Sequence, residues 1–351
     1  MKRAEKWLIS LTIVLAVALG GFAGMMYMFD PLLQYGKESA PLTYYAYSEM
    51  YSNPGIAQHY EYDAVLVGTS MIENTDVDEF DRLMHTKAVR LPYSGGTALN
   101  MKTILDLCFS SGNDIRAIYW ELDEFQLFSN PDETRYPLPE YLYRDDVKED
   151  LSYLLNLDIF YHYAVNDIIG TLRGKVQSAE RRGETLYGEF SKQAVLHSFS
   201  RAAGSGKPRD AAAVMAKVEA NLSQNIRPLI EGHPETQFVF YFVPFSILYW
   251  DNEVRQGNFD STMDAVEYAI GQLLRYENVK IYFFHQEEEI ITNLDNYKDY
   301  SHYGKWINSY LTTAMAADKN RMTQDDYRQT LAAMRQYILS YDFDAIFDQA
   351  G

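Results

Sequence analysis

Short apolar runs alternate with amphipathic stretches through the middle of the chain. Five of these runs are rich in β-branched and aromatic residues and end at Gly, Pro or polar residues, as buried strands do. They are residues 64–67, 88–91, 117–122, 237–243 and 279–284. Helical stretches separate them, among them residues 98–109 and 211–222. The alternation predicts a doubly wound α/β fold with a mainly parallel sheet.

The longest apolar run lies near the N-terminus. Residues 7–29 are almost uncharged and long enough to cross a bilayer, and Lys2, Arg3 and Lys6 precede them. Basic residues favour the cytoplasmic side, so residues 1–30 are predicted to be a short cytoplasmic tail and a membrane anchor, with the rest of the chain outside the cytoplasm. A cleaved signal peptide is the alternative, but the run is long for one and residues 24–28 make a poor cleavage site.

A tyrosine-rich connector, residues 31–62, links the anchor to the predicted sheet. Its tyrosine rings could lie at the lipid interface or wrap the domain, and the sequence favours neither. These tyrosines are Tyr44, Tyr45, Tyr47, Tyr51, Tyr60 and Tyr62.

The predicted α/β domain spans residues 63–320 and contains a long insertion. Residues 129–230 have three early prolines and a helical run at 147–172, so they predict a mostly helical insertion that could cover a substrate site. Residues 321–351 form a C-terminal helical extension. Its start, Thr323 to Asp326, resembles a capping box that opens a helix through Tyr337.

Composition narrows the classes of partner. The chain has 351 residues and a formal net charge of −18, which argues against nucleic-acid binding because phosphate recognition needs clustered Lys and Arg. Cys108 is the single cysteine, so no intramolecular disulfide can form, and its apolar neighbours predict a buried helical residue. No cluster of metal-ligand residues stands out, and no cofactor is expected.

A candidate nucleophile follows the first predicted strand. Ser70 comes directly after Gly68-Thr69, at a strand-to-helix turn on the carboxyl edge of the sheet, where α/β folds place their sites. A helix N-terminus offers backbone N–H groups to an oxyanion. The alternative is that Ser70 only caps the helix.

Partners for that serine occur near the end of the domain. Asp299 stands three residues before His302 in a loop that follows the fifth strand, a spacing that lets the carboxylate orient the imidazole as a base. Gly95 and Gly96 follow the second strand and could supply N–H donors to an oxyanion. Phe245, Tyr249 and Trp250 follow the fourth strand and are candidates for stacking on a sugar ring or an acyl group.

The ordered motifs Gly68-Thr69-Ser70, Tyr93-Ser94-Gly95-Gly96 and Asp299-x-x-His302 resemble the SGNH (GDSL-type) hydrolase superfamily, in its membrane-anchored, DltD-like branch. The resemblance spans roughly residues 60–315 and implies a flavodoxin-like three-layer α/β/α fold. The chain departs from the family at the third block, where Gly-x-Asn-Asp is expected and Glu121-Leu122-Asp123-Glu124 is found. The Asn donor of the oxyanion hole is therefore missing from its usual place, and Asn74 or Asn100 are possible replacements.

The resemblance implies an extracytoplasmic O-acyl esterase or acyltransferase that acts on a cell-envelope carbohydrate. Ser70 would be the nucleophile, His302 the base and Asp299 its orienting group, with Ser70, Gly95, Gly96 and Asn74 around the oxyanion. Members of this branch act with membrane-bound O-acyltransferases, which implies such a partner. The competing hypothesis is a non-catalytic SGNH scaffold that binds a glycan or assists an acyltransferase, and a third is a purely structural anchored protein.

Overall fold

The computed structural model describes residues 3–36, 48–144, 147–174, 188–204 and 207–348. Lys2 of the predicted cytoplasmic tail and the connector tyrosines Tyr44, Tyr45 and Tyr47 lie outside these residues.

One six-stranded sheet organises the α/β portion of the chain, and its strand order is β2-β1-β3-β4-β5-β6. The strands are β1 (Ala64–Gly68), β2 (Ala88–Pro92), β3 (Ala117–Glu121), β4 (Gln237–Phe242), β5 (Val279–Phe283) and β6 (Arg321–Met322).

Seventeen α-helices occur among the described residues. They are α1 (Arg3–Phe29), α2 (Glu49–His59), α3 (Val77–Met84), α4 (Ala98–Ser110), α5 (Glu124–Phe128), α6 (Val147–Leu154), α7 (Leu157–Ile159), α8 (Val165–Leu172), α9 (Lys192–Ser198), α10 (Ala211–Asn221), α11 (Arg227–Gly232), α12 (Ile247–Arg255), α13 (Phe259–Leu273), α14 (Glu288–Thr292), α15 (Lys305–Ala316), α16 (Tyr327–Ser340) and α17 (Asp344–Asp348).

The strand order confirms the predicted fold class. Strands β1 to β5 pair in parallel in the order 2-1-3-4-5, which is the flavodoxin-like doubly wound arrangement, and only β6 runs antiparallel. All five predicted strands form within one residue of their predicted ends. The chain order reverses direction between β1 and β3, so the carboxyl ends of these two strands flank the position where such folds bind ligands.

Helices cover the sheet because its strands are apolar on both faces. On one face, the Phe80 ring of α3 packs edge-on against Tyr119 of β3, and the Tyr282 hydroxyl of β5 approaches the Met315 carbonyl of α15. On the other face, Trp120 packs against its cross-strand neighbour Phe240. Right-handed crossovers put the helices of the two halves of such a sheet on opposite faces, which gives the three layers.

Two local predictions differ from the structure. Residues 147–172 do not form one helix, because the Asn156 side chain accepts hydrogen bonds from the N–H groups of Asp158 and Ile159 and starts a new helix there. The extension helix α16 begins at Tyr327, and Asp326 Oδ1 accepts the Thr323 N–H at 2.7 Å, which is only half of a capping box. Cys108 is buried in α4, as predicted.

The chain divides into two compact units. The first contains residues 1–61, 107–112 and 137–183, and the second contains residues 62–106, 113–136 and 184–351 with the whole sheet. In the first unit, α1 is a 27-residue helix that is long and apolar enough to cross a membrane.

Candidate active site

Ser70 is presented by a tight turn at the carboxyl end of β1. The strand ends at Gly68, and Ser70 begins a single 3-10 turn that runs to Ile72. A Cβ at Gly68 would lie 2.6 Å from the Glu121 Cβ, so only glycine allows β3 to approach this turn so closely. The Thr69 N–H and hydroxyl both donate to Glu121 Oε2, at 2.7 and 3.0 Å, which fixes the residue before the serine.

The loop that carries Asp299 and His302 is a short hairpin closed by an antiparallel bridge between Tyr297 and Tyr303. The Lys298 N–H donates to the His302 carbonyl at 3.0 Å. The Tyr297 hydroxyl donates to the Pro244 carbonyl at 2.7 Å, which ties the hairpin to the end of β4. On the other side, Tyr303 is buried and its hydroxyl lies 3.4 Å from the Met71 carbonyl, so the hairpin also contacts the Ser70 turn.

These two elements bring the three candidate residues together. Ser70 Oγ lies 2.9 Å from His302 Nε2, and His302 Nδ1 lies 2.8 Å from Asp299 Oδ2. The contacts fit an imidazole that donates from Nδ1 to the carboxylate and accepts the serine proton at Nε2. The geometry is that of a nucleophile, its base and the group that orients the base.

Asp299 is held as a carboxylate by its surroundings. Partial burial raises its pKa, but the hydrogen bonds and charge of His302 and the N–H of Ser301 outweigh that effect and hold the pKa well below its usual range. The N–H groups of Ser301 and His302 donate to Asp299 Oδ1 at 2.9 and 2.8 Å. One oxygen therefore fixes the loop, and the other orients the imidazole.

The predicted oxyanion residues lie in different surroundings. Gly95 has a φ of 61° and lines the cavity beside Ser70, whereas the Gly96 N–H already donates to the Tyr93 carbonyl at 2.7 Å. Asn74 is half-buried just beyond the Ser70 turn and is not among the residues lining the cavity. The carboxamide oxygen of Asn100 accepts from Thr97 and from the Arg135 N–H. Ser70 and Gly95 are thus the predicted donors that face the cavity.

Of the three predicted aromatic residues after β4, two line the cavity and one does not. Phe245 and Tyr249 line the cavity, and their ring centroids lie 4.8 Å apart. Trp250 is fully buried behind them, edge-on to Tyr249 at 4.9 Å. Tyr300, from the hairpin, joins the Phe245 and Tyr249 rings in the cavity wall.

The cavity over Ser70 has a volume of 570 Å³ and a mixed lining. Besides the residues named above, it contains two phenylalanines of the β3–α5 region, Phe125 and Phe128, and the arginines Arg135 and Arg209. Arg135 lies 5.6 Å above the Phe125 ring, and Arg209 is ion-paired with Glu253. The volume accommodates a small ester together with part of a sugar or lipid.

Three acidic side chains, one at the end of β3 and two just after it, lie under and beside the nucleophile. Glu121 is fully buried, and burial together with Asp123 raises its pKa well above the usual range. Burial likewise raises the pKa of Asp123 to about 7. Among the residues that the structure describes, neither carboxylate oxygen of Glu124 has a hydrogen-bond partner, although the buried His285 Nε2 lies 3.3 Å from its Oε1. Asp123 and Glu124 line the cavity.

The positions of some of these residues could be predicted from the sequence. Glu121, Asp123 and Glu124 occupy the third-block position, so their place at the carboxyl edge of β3 follows from the same rule that located Ser70. Arg209 and Glu253 carry no local signature, because their meeting depends on how the helices around β4 pack. No group of three or more potential metal-ligating side chains occurs in the described part of the chain.

Comparisons with known proteins give little beyond the geometry. No family model matches the chain, and no curated protein matches it. Among solved structures, the chain is similar to one from Streptococcus pneumonia that is named provisionally as a platelet activating factor. The identity is 10%, the TM-score is 0.38, and the match covers 84% of this chain and 97% of that one. The resemblance to SGNH hydrolases therefore stays a prediction.

Proposed function

We propose that this protein is a membrane-anchored serine esterase or O-acyltransferase of SGNH type that works through an acyl-Ser70 intermediate. The observation that carries the proposal is the continuous hydrogen-bonded series from Ser70 Oγ through His302 to Asp299, with both contacts shorter than 3.0 Å. Ser70 also lines a cavity that a substrate can enter, as a nucleophile must. A serine that only capped a helix would not need a hydrogen bond to an imidazole whose second nitrogen faces a carboxylate.

The reaction would proceed in two steps. His302 Nε2 takes the Ser70 proton as Oγ attacks the ester carbonyl, and Asp299 stabilises the resulting imidazolium. The oxyanion that forms lies near the N–H groups of Ser70 and Gly95. As the intermediate collapses, the ester C–O bond breaks and His302 returns the proton to the leaving alkoxide. A water or a sugar hydroxyl then gives its proton to His302 Nε2 as it attacks the acyl-serine carbonyl. The bond between the acyl carbon and Ser70 Oγ breaks, and His302 returns the proton to Oγ.

We further propose a cell-envelope carbohydrate as the acceptor. Phe245, Tyr249 and Tyr300 offer aromatic faces beside the nucleophile, which suits the apolar faces of a sugar ring. The apolar α1 supports a position at the membrane. The basic residues before its apolar run favour a cytoplasmic N-terminus, with the catalytic unit outside the cytoplasm. A membrane-bound O-acyltransferase that supplies the acyl group is part of this proposal.

The experiment is activity-based labelling of the full-length chain in detergent with a fluorophosphonate probe. Labelling is expected in the wild type and absent in Ser70→Ala. A surface serine provides the matched control: the Ser223 side chain is exposed and its hydroxyl only bonds the Ala220 carbonyl, so Ser223→Ala should label normally. Equal labelling of Ser70→Ala and wild type would refute the assignment.

One observation favours the non-catalytic alternative, a scaffold that binds a glycan. Asp123 and Glu124 line the same cavity as Ser70, and a carboxylate that is ionised there would oppose the negative charge of an oxyanion. This alternative predicts that neither the probe nor an aryl ester reacts with the wild type, while oligosaccharides still bind. Binding that persists in Ser70→Ala, with no labelling of the wild type, would select the scaffold.

A further inference from the structure

The length of α1 constrains which part of the first unit lies in a membrane. Its apolar run begins at Trp7, after Lys6, and ends at Phe29, before Asp30. A hydrocarbon core of about 30 Å needs about 20 apolar residues in a helix. Counting about 20 residues from Trp7 reaches Met26, so a spanning α1 must keep Phe22 inside the hydrocarbon.

Phe22 does not face lipid alone. Its ring packs edge-on against Phe160 at 5.5 Å, and one turn further on Met26 is completely buried in a cluster that includes Ile159 and Tyr153. Asp30 follows Phe22 by eight residues, which is about 12 Å along a helix. Each headgroup layer is only about 5–8 Å thick. A spanning α1 therefore carries Phe160 below the headgroups with it.

The residues next to Phe160 expose apolar side chains, as a segment that lies below the lipid headgroups must. Leu157 is 64% exposed and Tyr161 is 68% exposed, and they lie four residues apart on one helical stripe. Asp158 and His162 form the neighbouring exposed stripe, so the segment is amphipathic, as helices that lie in a membrane interface are. The same segment exposes other apolar side chains, namely Leu151, Leu155, Ile169 and Leu172.

Tyr27, Tyr35 and Asp150 form a group at the expected interface between membrane and water in the same unit. The Tyr27 and Tyr35 rings lie 4.8 Å apart at the end of α1, and the Tyr35 hydroxyl donates to Asp150 at 2.9 Å. Tyrosines concentrate at membrane interfaces because their rings are apolar and their hydroxyls polar. The chain thus runs from this interface at Asp150 to Phe160, which contacts Phe22 within the membrane-spanning part of α1, in ten residues.

We propose that residues 151–172 form a second membrane contact, inserted among the lipids of the leaflet in which α1 ends, with Leu157 and Tyr161 in the acyl-chain region. The occupant of this apolar surface is lipid, because the contact of Phe160 with Phe22 holds the segment at the depth of the membrane-spanning part of α1. The inference rests on the membrane anchorage within the proposed function and is independent of the esterase chemistry.

The test measures depth at single cysteines in the full chain. In a Cys108→Ala background, Leu157→Cys and Tyr161→Cys are labelled with an NBD fluorophore in phosphatidylcholine–phosphatidylglycerol vesicles containing no other protein. Val14→Cys on α1 is the lipid reference, and Leu339→Cys, an exposed position on α16, is the water reference. We expect the labels at 157 and 161 to shift to the blue, to be quenched by a doxyl group on the lipid acyl chain, and to resist an aqueous nickel quencher.

The references separate failure of this inference from failure of anchorage. Labels at 157 and 161 that behave like Leu339 while the Val14 label is quenched by lipid would overturn the second contact and leave the anchor intact. A Val14 label open to water would overturn both. Protection at 157 and 161 that appears only after a membrane protein partner is added would also overturn the proposal, because the occupant would then be protein.

Discussion

Replacement of Asp299 by Asn tests the proposed mechanism most directly, because the structure shows what each carboxylate oxygen does. Oδ1 accepts the N–H groups of Ser301 and His302, and Oδ2 faces His302 Nδ1. An asparagine must place its NH2 group on one of these two sides. With the NH2 towards His302, the imidazole takes the tautomer protonated on Nε2, which cannot accept the Ser70 proton.

The opposite orientation restores the base but is costly. The NH2 group would then face two backbone N–H groups, and leaving each without an acceptor costs about 1–3 kcal/mol. The productive orientation is therefore disfavoured by about 2–6 kcal/mol, which at 1.36 kcal/mol per tenfold lowers kcat by about 30-fold or more. The wrong tautomer in a serine protease triad costs about 10⁴ in kcat, which sets the upper end of the expected loss.

The assay is turnover of an activated aryl acetate together with the rate of fluorophosphonate labelling. Asp295→Asn is the matched control. Its carboxylate lies just before the same hairpin and accepts the Lys192 N–H at 2.7 Å, and it does not contact His302 in the described structure. Melting temperatures of both variants should stay close to the wild type if the loop is intact. An Asp299→Asn enzyme within about threefold of the wild-type rate would refute the orienting role of Asp299.

Three other predictions follow from features described above. Burial raises the pKa of Asp123 to about 7 and that of Glu121 well above its usual range, so the stability that both contribute is complete below about pH 4 and is lost as the pH rises through these raised values. Thermal melts should show this decline, and Glu121→Gln should make it shallower, whereas an unchanged slope would contradict the assignment. With the predicted topology, protease added to intact spheroplasts should digest the domain, and protection until lysis would show the reverse orientation. Given an activated acetyl ester and envelope oligosaccharides, the wild type should form acetylated sugar at the expense of acetate. Under the proposed SGNH assignment one usual oxyanion donor is missing, and orientation of an acceptor can offset that loss. Acetate release that no glycan diverts would indicate a plain esterase.

The sheet was predictable because its strands are buried on both faces and appear as uninterrupted apolar runs. The proximity of Ser70 to the Asp299–His302 loop was predictable in outline, since both follow parallel strands and so share one edge. The break at Asn156 was not, because a side chain that competes with the helix leaves the apolar periodicity unchanged. The burial of Trp250 behind Tyr249 also escaped prediction, since adjacent aromatic residues in a helix face different directions and sequence alone does not say which one faces the cavity.

The two hydrogen bonds of the candidate triad differ in what maintains them. Asp299 and His302 are three residues apart in one closed hairpin, so local chain geometry sets their distance. Ser70 and His302 are 232 residues apart, and their distance depends on the contact of the Tyr303 hydroxyl with the Met71 carbonyl and on the packing of two separate elements. A small opening between these elements would switch the nucleophile off while the imidazole kept its carboxylate partner. Under the proposed mechanism, a change in this one distance is enough to stop acylation, and the Asp299–His302 pair is unchanged when Ser70 returns.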